Sequence, residues 1–309
     1  MKSRVAITLA MTFLAVSPFI EGRWEKFYDG KDMALSISPS GDAFAVFQED
    51  EKFILKKWND QEKKFEALTD LEGLRRVPNR FAGKFVRYPR RIKKIGKKRV
   101  STAPLKKLIA GKMKEIRNVS RISTDYLVAE GDKLWMLVHQ PSTVHRSIDR
   151  YTGKKWEKAI KLPDEREERI GRNLAVDPKG GIYITTSAYK DNTIKIIDRI
   201  SWKNRATWKT ILKKPDSDRA ISSFFAKNKN DIWFMLYGIK GSLIFHWDGK
   251  NINPIDMTEL GSINPEDFEE YFVVWPELYG GGKKVWFKKY LMHTKSPEKN
   301  KVELYRLIK

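Results

Sequence analysis

Histidine is the side chain best suited to proton transfer near neutral pH and to metal binding, and this chain has 4 histidines. Three of them, His139, His145 and His293, fall in segments predicted to be loops, with Tyr189 in another loop and Tyr237 at the edge of one. If these loops share one face, the five side chains could form a binding site. The histidines show no fixed ligand spacing, so the alternative is that they are exposed or packed. The sequence assigns no catalytic residue and no metal ligand.

The motifs of the common nucleophilic and phosphate-binding sites are missing from the chain. It contains no Gly-x-Ser-x-Gly elbow, no His-Glu-x-x-His and no phosphate loop ending in Gly-Lys. The run Gly280-Gly281-Gly282 predicts a flexible turn between two strands, because no helical pattern follows it. Asp177 is a candidate channel carboxylate by position, and the alternative is a turn aspartate.

The segment from Arg75 to Arg117 is strongly basic, with 17 Lys or Arg and the single acid Glu115, in a chain of net charge +22. Its densest part consists of Arg87, Arg90, Arg91, Lys93, Lys94, Lys97, Lys98 and Arg99. One interpretation is a site for a polyanion, and the other is a solvated face or a long loop. Aromatic residues are sparse there, which argues against a base-stacking platform.

These candidate residues must be positioned by a repeat that runs along the whole chain. Each unit has a turn followed by an aromatic anchor, and the anchors are Phe44, Trp135, Tyr183, Trp233 and Trp286. The last three intervals are 48, 50 and 53 residues, whereas the first is 91 and therefore hides one more unit inside the basic segment. Several strands per unit at this period are typical of propeller blades.

The strands within a unit are clearest in the hairpin from Asn230 to Gly249, where two aromatic-rich runs flank Gly238-Ile239-Lys240-Gly241. The sequence of the last unit predicts only three strands. The segment Arg23-Trp24-Glu25-Lys26-Phe27 nearly repeats the sequence Trp156-Glu157-Lys158-Ala159, which is a predicted fourth strand. We therefore expect the N-terminal strand to pair with the last blade and close the ring, because an open ring leaves strand edges unpaired.

Two stretches carry a resemblance to a known group. The text Asn173-Leu174-Ala175-Val176-Asp177-Pro178-Lys179-Gly180-Gly181-Ile182-Tyr183 resembles the repeats of bacterial β-propeller proteins, and so does Asp231-Ile232-Trp233 followed by His246-Trp247-Asp248-Gly249. The resemblance covers about four of six units by this comparison of turns. It implies the fold and is silent on function, since propellers host many roles.

The first residues predict export. Lys2 and Arg4 precede an apolar stretch from Val5 to Ile20, so residues 1–22 read as a signal peptide and residues 23–309 as a single propeller domain with a basic irregular segment at 75–117. Cysteine is absent, which fits an oxidising compartment without disulfides. No later run reaches the length of a membrane span. We expect a monomer located in the periplasm or outside the cell.

The sequence thus predicts an all-β, six-bladed β-propeller of four-stranded antiparallel blades. The leading functional hypothesis is an exported, non-enzymatic recognition propeller that binds a protein, a glycan or an acidic surface polymer through one face. Export argues against a nucleic-acid partner. The alternative is a metal-dependent lactonase or hydrolase with its site at the channel mouth. No cofactor is predicted, and a divalent cation in the channel belongs only to this alternative.

Overall fold

The computed structural model describes residues 22–31, 33–78, 81–89, 91–95, 98–119, 123–139, 146–157, 160–162, 169–190, 195–204, 207–214, 219–238, 241–261, 271–296 and 299–308. These residues form six four-stranded antiparallel sheets and one two-stranded sheet. A short 3₁₀ helix spans Thr258–Leu260. Within the described ranges, no helix is long and apolar enough to cross a membrane.

The first three sheets follow chain order from the innermost strand outwards. Sheet 1 consists of β2 (Met33–Ile37), β3 (Ala43–Glu49), β4 (Lys52–Asn59) and β5 (Lys64–Asp70). Sheet 2 consists of β6 (Phe81–Ala82), β7 (Phe85–Arg87), β10 (Pro104–Ile109) and β11 (Lys112–Asn118). Sheet 3 consists of β12 (Ser123–Glu130), β13 (Lys133–His139), β14 (Arg146–Tyr151) and β15 (Ile160–Lys161).

The other sheets repeat this order, with one exception in the last. Sheet 4 consists of β16 (Arg169–Val176), β17 (Ile182–Lys190), β18 (Lys195–Asn204) and β19 (Thr207–Lys213). Sheet 5 consists of β20 (Ala220–Asn228), β21 (Asp231–Gly238), β22 (Gly241–Trp247) and β23 (Ile252–Pro254). Sheet 6 consists of β24 (Tyr271–Gly281), β25 (Lys284–His293), β26 (Lys301–Ile308) and β1 (Arg23–Lys31). The two-stranded sheet pairs β8 (Arg91–Ile95) with β9 (Lys98–Thr102).

The innermost strands of the six sheets lie in a circle. Strands β2, β6, β12, β16, β20 and β24 each contact the next one in this order, and β24 contacts β2 again. Sheets that radiate from such a circle, each made of four antiparallel strands, are the blades of a β-propeller. The predicted all-β propeller of four-stranded antiparallel blades is confirmed. The basic segment does contain the hidden unit, which is sheet 2.

The N-terminal strand completes sheet 6, as the sequence predicted. Strand β1 pairs with β26 along its length, from Arg23 opposite Ile308 to Lys31 opposite Lys301. Lys26 on β1 donates to Glu303 on β26 at 2.8 Å, and Lys289 on β25 reaches the same carboxylate at 3.0 Å. Burial would raise the pKa of Glu303, but hydrogen bonds from Lys26 and Lys289 lower this pKa to about 2. The buried carboxylate therefore holds three strands of the sheet together.

In each sheet, the aromatic anchor follows the turn between the first and second strands. It lies on the second strand and pairs with a residue of the third strand. The residues directly opposite the anchors on the third strands are Lys57 for Phe44, Lys107 for Phe85, Arg150 for Trp135, Trp202 for Tyr183, His246 for Trp233 and Arg306 for Trp286. The Lys107 ammonium lies 5.7 Å from the centre of the Phe85 ring, within the range of a cation–π contact. Phe85 is thus the sixth anchor, 41 residues after Phe44.

Tryptophan side chains join neighbouring sheets at the outer edge. The indole N–H of Trp156 in sheet 3 donates to the Ile116 carbonyl of sheet 2 at 3.4 Å. In the same way, Trp208 of sheet 4 donates to Lys161 of sheet 3 at 3.3 Å. Trp24 on β1 donates to the Asp256 carbonyl, just after sheet 5, at 2.9 Å. These contacts supplement the apolar packing between the faces of adjacent sheets.

We expect Glu303→Gln to lower the free energy of unfolding by about 3–5 kcal/mol, because Lys289 stays buried without its counter-charge. The folded-state pKa of Glu303 lies below its ordinary value of 4.5, so its stabilisation is complete above that pH and is lost as the pH falls towards about 2. The difference in melting temperature between wild type and variant should therefore narrow between pH 6 and pH 3.

The matched control is Glu62→Gln, which removes one carboxylate from the exposed pair with Lys64. Exposed pairs contribute roughly 0–1 kcal/mol, so this variant should melt close to wild type. Thermal denaturation by circular dichroism measures both. Equal losses in the two variants, or a difference that does not depend on pH, would contradict the role given to Glu303.

Candidate functional site

The circle of innermost strands encloses a central cavity with a volume of about 490 Å³. All six of these strands contribute to its walls. Most of the lining side chains are apolar, among them Leu35, Phe81, Leu127, Leu174 and Phe224. The volume falls within the range of pockets that hold small molecules.

One end of the cavity is closed by a turn of sheet 1. Pro39, in the turn between β2 and β3, lines the cavity, and its carbonyl accepts the N–H of Gly282 at 2.8 Å. The Ser40 N–H donates to the Glu130 carboxylate of sheet 3, also at 2.8 Å. The turn is therefore tied to sheet 6 on one side and to sheet 3 on the other. Residues 38–41 and Gly280–Gly282 together form what we call the floor.

The glycine run at 280–282 allows this close contact and is not the flexible turn that the sequence predicted. A Cβ atom on Gly281 would lie 1.9 Å from the Ser38 carbonyl oxygen, and one on Gly280 would lie 2.1 Å from the Phe225 ring. Both distances are far inside van der Waals contact. Gly280 and Gly281 belong to β24, and Gly282 has a φ of +55° in the turn that follows. Glycine is required here because the backbones of two sheets approach closely.

A small polar group lies on the sheet 6 side of the cavity. Lys288 on β25 donates to the Glu277 carboxylate on β24 at 3.1 Å, and the Tyr279 hydroxyl donates to the same oxygen. Burial and the Glu277 charge raise the pKa of Tyr279 well above its usual value, so this hydroxyl stays protonated. The ammonium and the carboxylate offset each other, and we call these three residues the polar wall.

Within the described part of the chain, no three His, Asp or Glu side chains cluster closely enough to hold a metal ion. Among the residues that the structure describes around the cavity, Glu277 is the only acidic one. Asp177 is a turn aspartate, since it accepts the N–H groups of Lys179 and Gly181 and the Tyr183 hydroxyl. The channel carboxylate considered from the sequence is therefore a structural residue.

The basic residues with the highest density lie on and around a hairpin, which we call the basic hairpin (Arg91–Thr102). Strands β8 and β9 pair with each other, and they are inserted between β7 and β10, the second and third strands of sheet 2. Arg91, Lys93 and Lys94 lie on β8, and Lys98 and Arg99 lie on β9. Ile92 is 71% exposed. The hairpin therefore stands apart from the four-stranded sheets.

Four residues of the predicted histidine and tyrosine site lie on strands. His139, Tyr189, Tyr237 and His293 all belong to second strands, in sheets 3, 4, 5 and 6 respectively. Tyr237 and His293 are not among the described residues that line the central cavity. The expectation of loops at His139, Tyr189 and His293 is wrong, because these strands continue further than the sequence suggested. Arg87 ends β7 opposite Leu105.

His293 has a structural contact instead. Its imidazole Nδ1 accepts the backbone N–H groups of Lys295 and Ser296, at 3.1 and 3.0 Å. The ring is buried and organises the turn that follows β25. His145, Arg90 and Lys97 lie outside the described residues, as do the first 21 residues of the predicted signal peptide.

His246 and Asp231 form a second polar pair in sheet 5. The two side chains lie 2.9 Å apart, and the Trp233 indole donates to the same Asp231 oxygen at 3.1 Å. Burial alone would raise the pKa of Asp231, but hydrogen bonds from His246 and Trp233 and the charge of Lys227 lower it. The pair fixes the turn between β20 and β21 and the anchor Trp233.

Sequence reasoning missed the polar wall because Pro276 directly precedes Glu277, and proline inside a strand argues against continuation. In the structure β24 runs on to Gly281 and carries both Glu277 and Tyr279. The alternation of Glu277, Leu278 and Tyr279 was the signal that could have extended the strand.

No protein-family model matches this chain, and no curated protein matches it in sequence. Solved structures show similar folds. A prolyl endopeptidase structure is 12% identical with a TM-score of 0.44, over 84% of this chain and 39% of its own length. A structure of YCF48 with a bound peptide is 12% identical with a TM-score of 0.45, over 93% of this chain and 95% of that one. A gluconolactonase of Xanthomonas campestris is 12% identical with a TM-score of 0.44, over 94% and 90%.

We expect Gly281→Ala to lower the free energy of unfolding by about 3 kcal/mol or more, at the upper end of overpacking, because the added methyl group meets backbone atoms that cannot rotate away. The control is Gly180→Ala, where nothing lies within 4 Å and only the φ of +86° opposes a side chain. That variant should lose about 1–2 kcal/mol. Chemical denaturation measures both losses, and a loss at Gly281 no larger than at Gly180 would show that the floor is loosely packed.

Proposed function

We propose that this protein is an exported, non-enzymatic recognition propeller that binds an acidic polymer through the face carrying the basic hairpin. The observation that carries the proposal is the placement of the charge. The residues from Arg87 to Arg99 supply eight positive side chains, and no Asp or Glu occurs between Glu72 and Glu115. Most of these residues lie on the two-stranded insertion, which is separate from the four-stranded sheets.

Several lysines of the sheets are paired with acids. Lys26 and Lys289 neutralise Glu303, and Lys57 and Lys107 contact Asp42 and Asp132. Those charges stabilise the fold. The hairpin sequence holds no acid of its own, so this part of sheet 2 has a high local density of positive charge. Coulomb attraction between such a ribbon and a polyanion is favourable and falls with added salt.

The position of the hairpin gives the face of the propeller. It connects the second strand of sheet 2 to the third, and in every sheet this connection lies at the end opposite to the turn between the first and second strands. The floor is built from such first-to-second turns. The hairpin therefore projects from the end of sheet 2 that lies away from the floor.

The small number of carboxylate ligands among the described cavity residues favours binding over the lactonase or hydrolase alternative. A hard divalent cation takes six or more oxygen ligands from several carboxylates, carbonyls and waters. Among the described residues that line the cavity, Glu277 is the single carboxylate, and it is paired with Lys288. Export would bring the protein to polysaccharides and other acidic surface polymers and away from nucleic acid.

The test compares two variants that lower the net charge equally. The first replaces Lys93, Lys94, Lys98 and Arg99 with Thr, which suits strands. The second replaces the exposed outer-strand residues Lys112, Lys114, Lys209 and Lys213 with Thr. On a heparin column, the hairpin variant should elute at clearly lower salt than wild type, and the slope of log affinity against log salt should fall by up to about four.

The control variant should elute close to wild type. Equal shifts in the two variants would mean that retention follows the overall charge and would refute a site on the hairpin. Retention of wild type that does not depend on salt would also refute the proposal. The melting temperature of each variant shows that the propeller remains folded.

A further inference from the structure

The central cavity and the basic hairpin are separate features with different chemistry. The cavity lies between the sheets and is lined by apolar side chains together with polar groups, whereas the hairpin is charged and stands outside the four-stranded sheets. Protein interiors are packed as closely as organic crystals, and voids larger than a water molecule are few. A cavity of about 490 Å³ lined by all six innermost strands is the central channel that the blades of a propeller leave around their axis, so its lining decides what it can hold.

The floor makes this cavity a pocket rather than a pore. Pro39 and the Gly280–Gly282 run block one end through backbone contacts, and the Ser40–Glu130 hydrogen bond ties the floor across to sheet 3. Val77 and Pro78, from the connection between sheets 1 and 2, line the cavity as well. A molecule inside would contact apolar side chains, polar groups of the innermost strands and the floor at one end.

The polar wall limits what kind of molecule fits. Glu277 and Lys288 carry opposite charges 3.1 Å apart, so the described residues that line the cavity offer no net charge to an ion. An ion that entered would lose its hydration without a counter-charge, which is costly. A neutral molecule would instead gain from the apolar walls, and a hydroxyl, amine or carbonyl group at one end could hydrogen-bond with the carboxylate, the ammonium or the Tyr279 hydroxyl.

We propose that the central cavity is a binding site for a neutral small molecule that combines apolar groups with hydrogen-bonding groups, one of which is directed to Glu277, Tyr279 and Lys288. This site does not depend on the proposed binding of an acidic polymer. Either could exist without the other, because the first is driven by apolar burial and the second by charge.

The probe is N-phenyl-1-naphthylamine, a neutral aromatic amine whose fluorescence rises in apolar surroundings. We expect saturable binding with one site per chain, measured by fluorescence and by calorimetry. Binding should persist at about 1 M salt, where the Debye length is only about 3 Å. It should also persist in the variant with Lys93, Lys94, Lys98 and Arg99 replaced, which separates this site from the hairpin.

Two substitutions fill the cavity from different sheets. Ala175→Trp on β16 and Ala34→Phe on β2 should each weaken binding by roughly tenfold or more, about 1.4 kcal/mol. The control is Ala67→Trp on the exposed outer strand β5, which should bind the probe as wild type does. If Ala175→Trp fails to fold, the more modest Ala34→Phe decides the question.

The polar wall has its own test. The double variant Glu277→Leu/Lys288→Leu removes both charges together, so no unpaired ion is left behind. It should bind the amine probe more weakly than wild type but bind 1-phenylnaphthalene, which lacks the N–H group, at least as well. The proposal is overturned if wild type shows no saturable binding, if both filling variants bind as wild type does, or if the double variant changes the two probes equally.

Discussion

The structure depends on one constraint, which is that the first and last strands of the chain share a sheet. Strand β1 hydrogen-bonds to β26, and the Glu303 carboxylate forms an ion pair with a lysine on each neighbouring strand. Without this pairing sheet 6 would have three strands and an open edge. Sheet 6 also supplies the glycine run of the floor and the whole polar wall, so the closed ring and the central cavity depend on the same pairing.

The fold was largely predictable because its signals are local. A turn followed by an aromatic residue recurs near every 50 residues, and the fourth-strand text around Trp24 is repeated at Trp156. The second unit was harder to place. Its first two strands have only 2 and 3 residues, and the inserted hairpin separates them from the third strand. The pairing of Phe85 with Lys107 becomes visible only when the register is known.

The candidate site was less predictable because it depends on where strands end and which way side chains point. The strands that carry Tyr189 and His293 extend into segments that read as loops. Strand β24 passes through Pro276, which locally argues against a strand, and is held there by its pairing with β25. The cavity itself is formed by residues from six sheets that are far apart in sequence, and no short window of sequence contains that information.

The register of the basic hairpin has a thermodynamic consequence for any polyanion that it meets. Lys94 lies directly opposite Arg99, and like charges at such positions destabilise a two-stranded ribbon that is already marginal in water. A counter-charge relieves this repulsion at the same time as it forms new contacts. Binding and the folding of the ribbon are therefore linked equilibria, and part of the gross attraction is spent on local order. Such a ribbon is best ordered when an anionic chain is bound. Contacts made mainly by charge favour broad rather than strict selectivity among anionic chains.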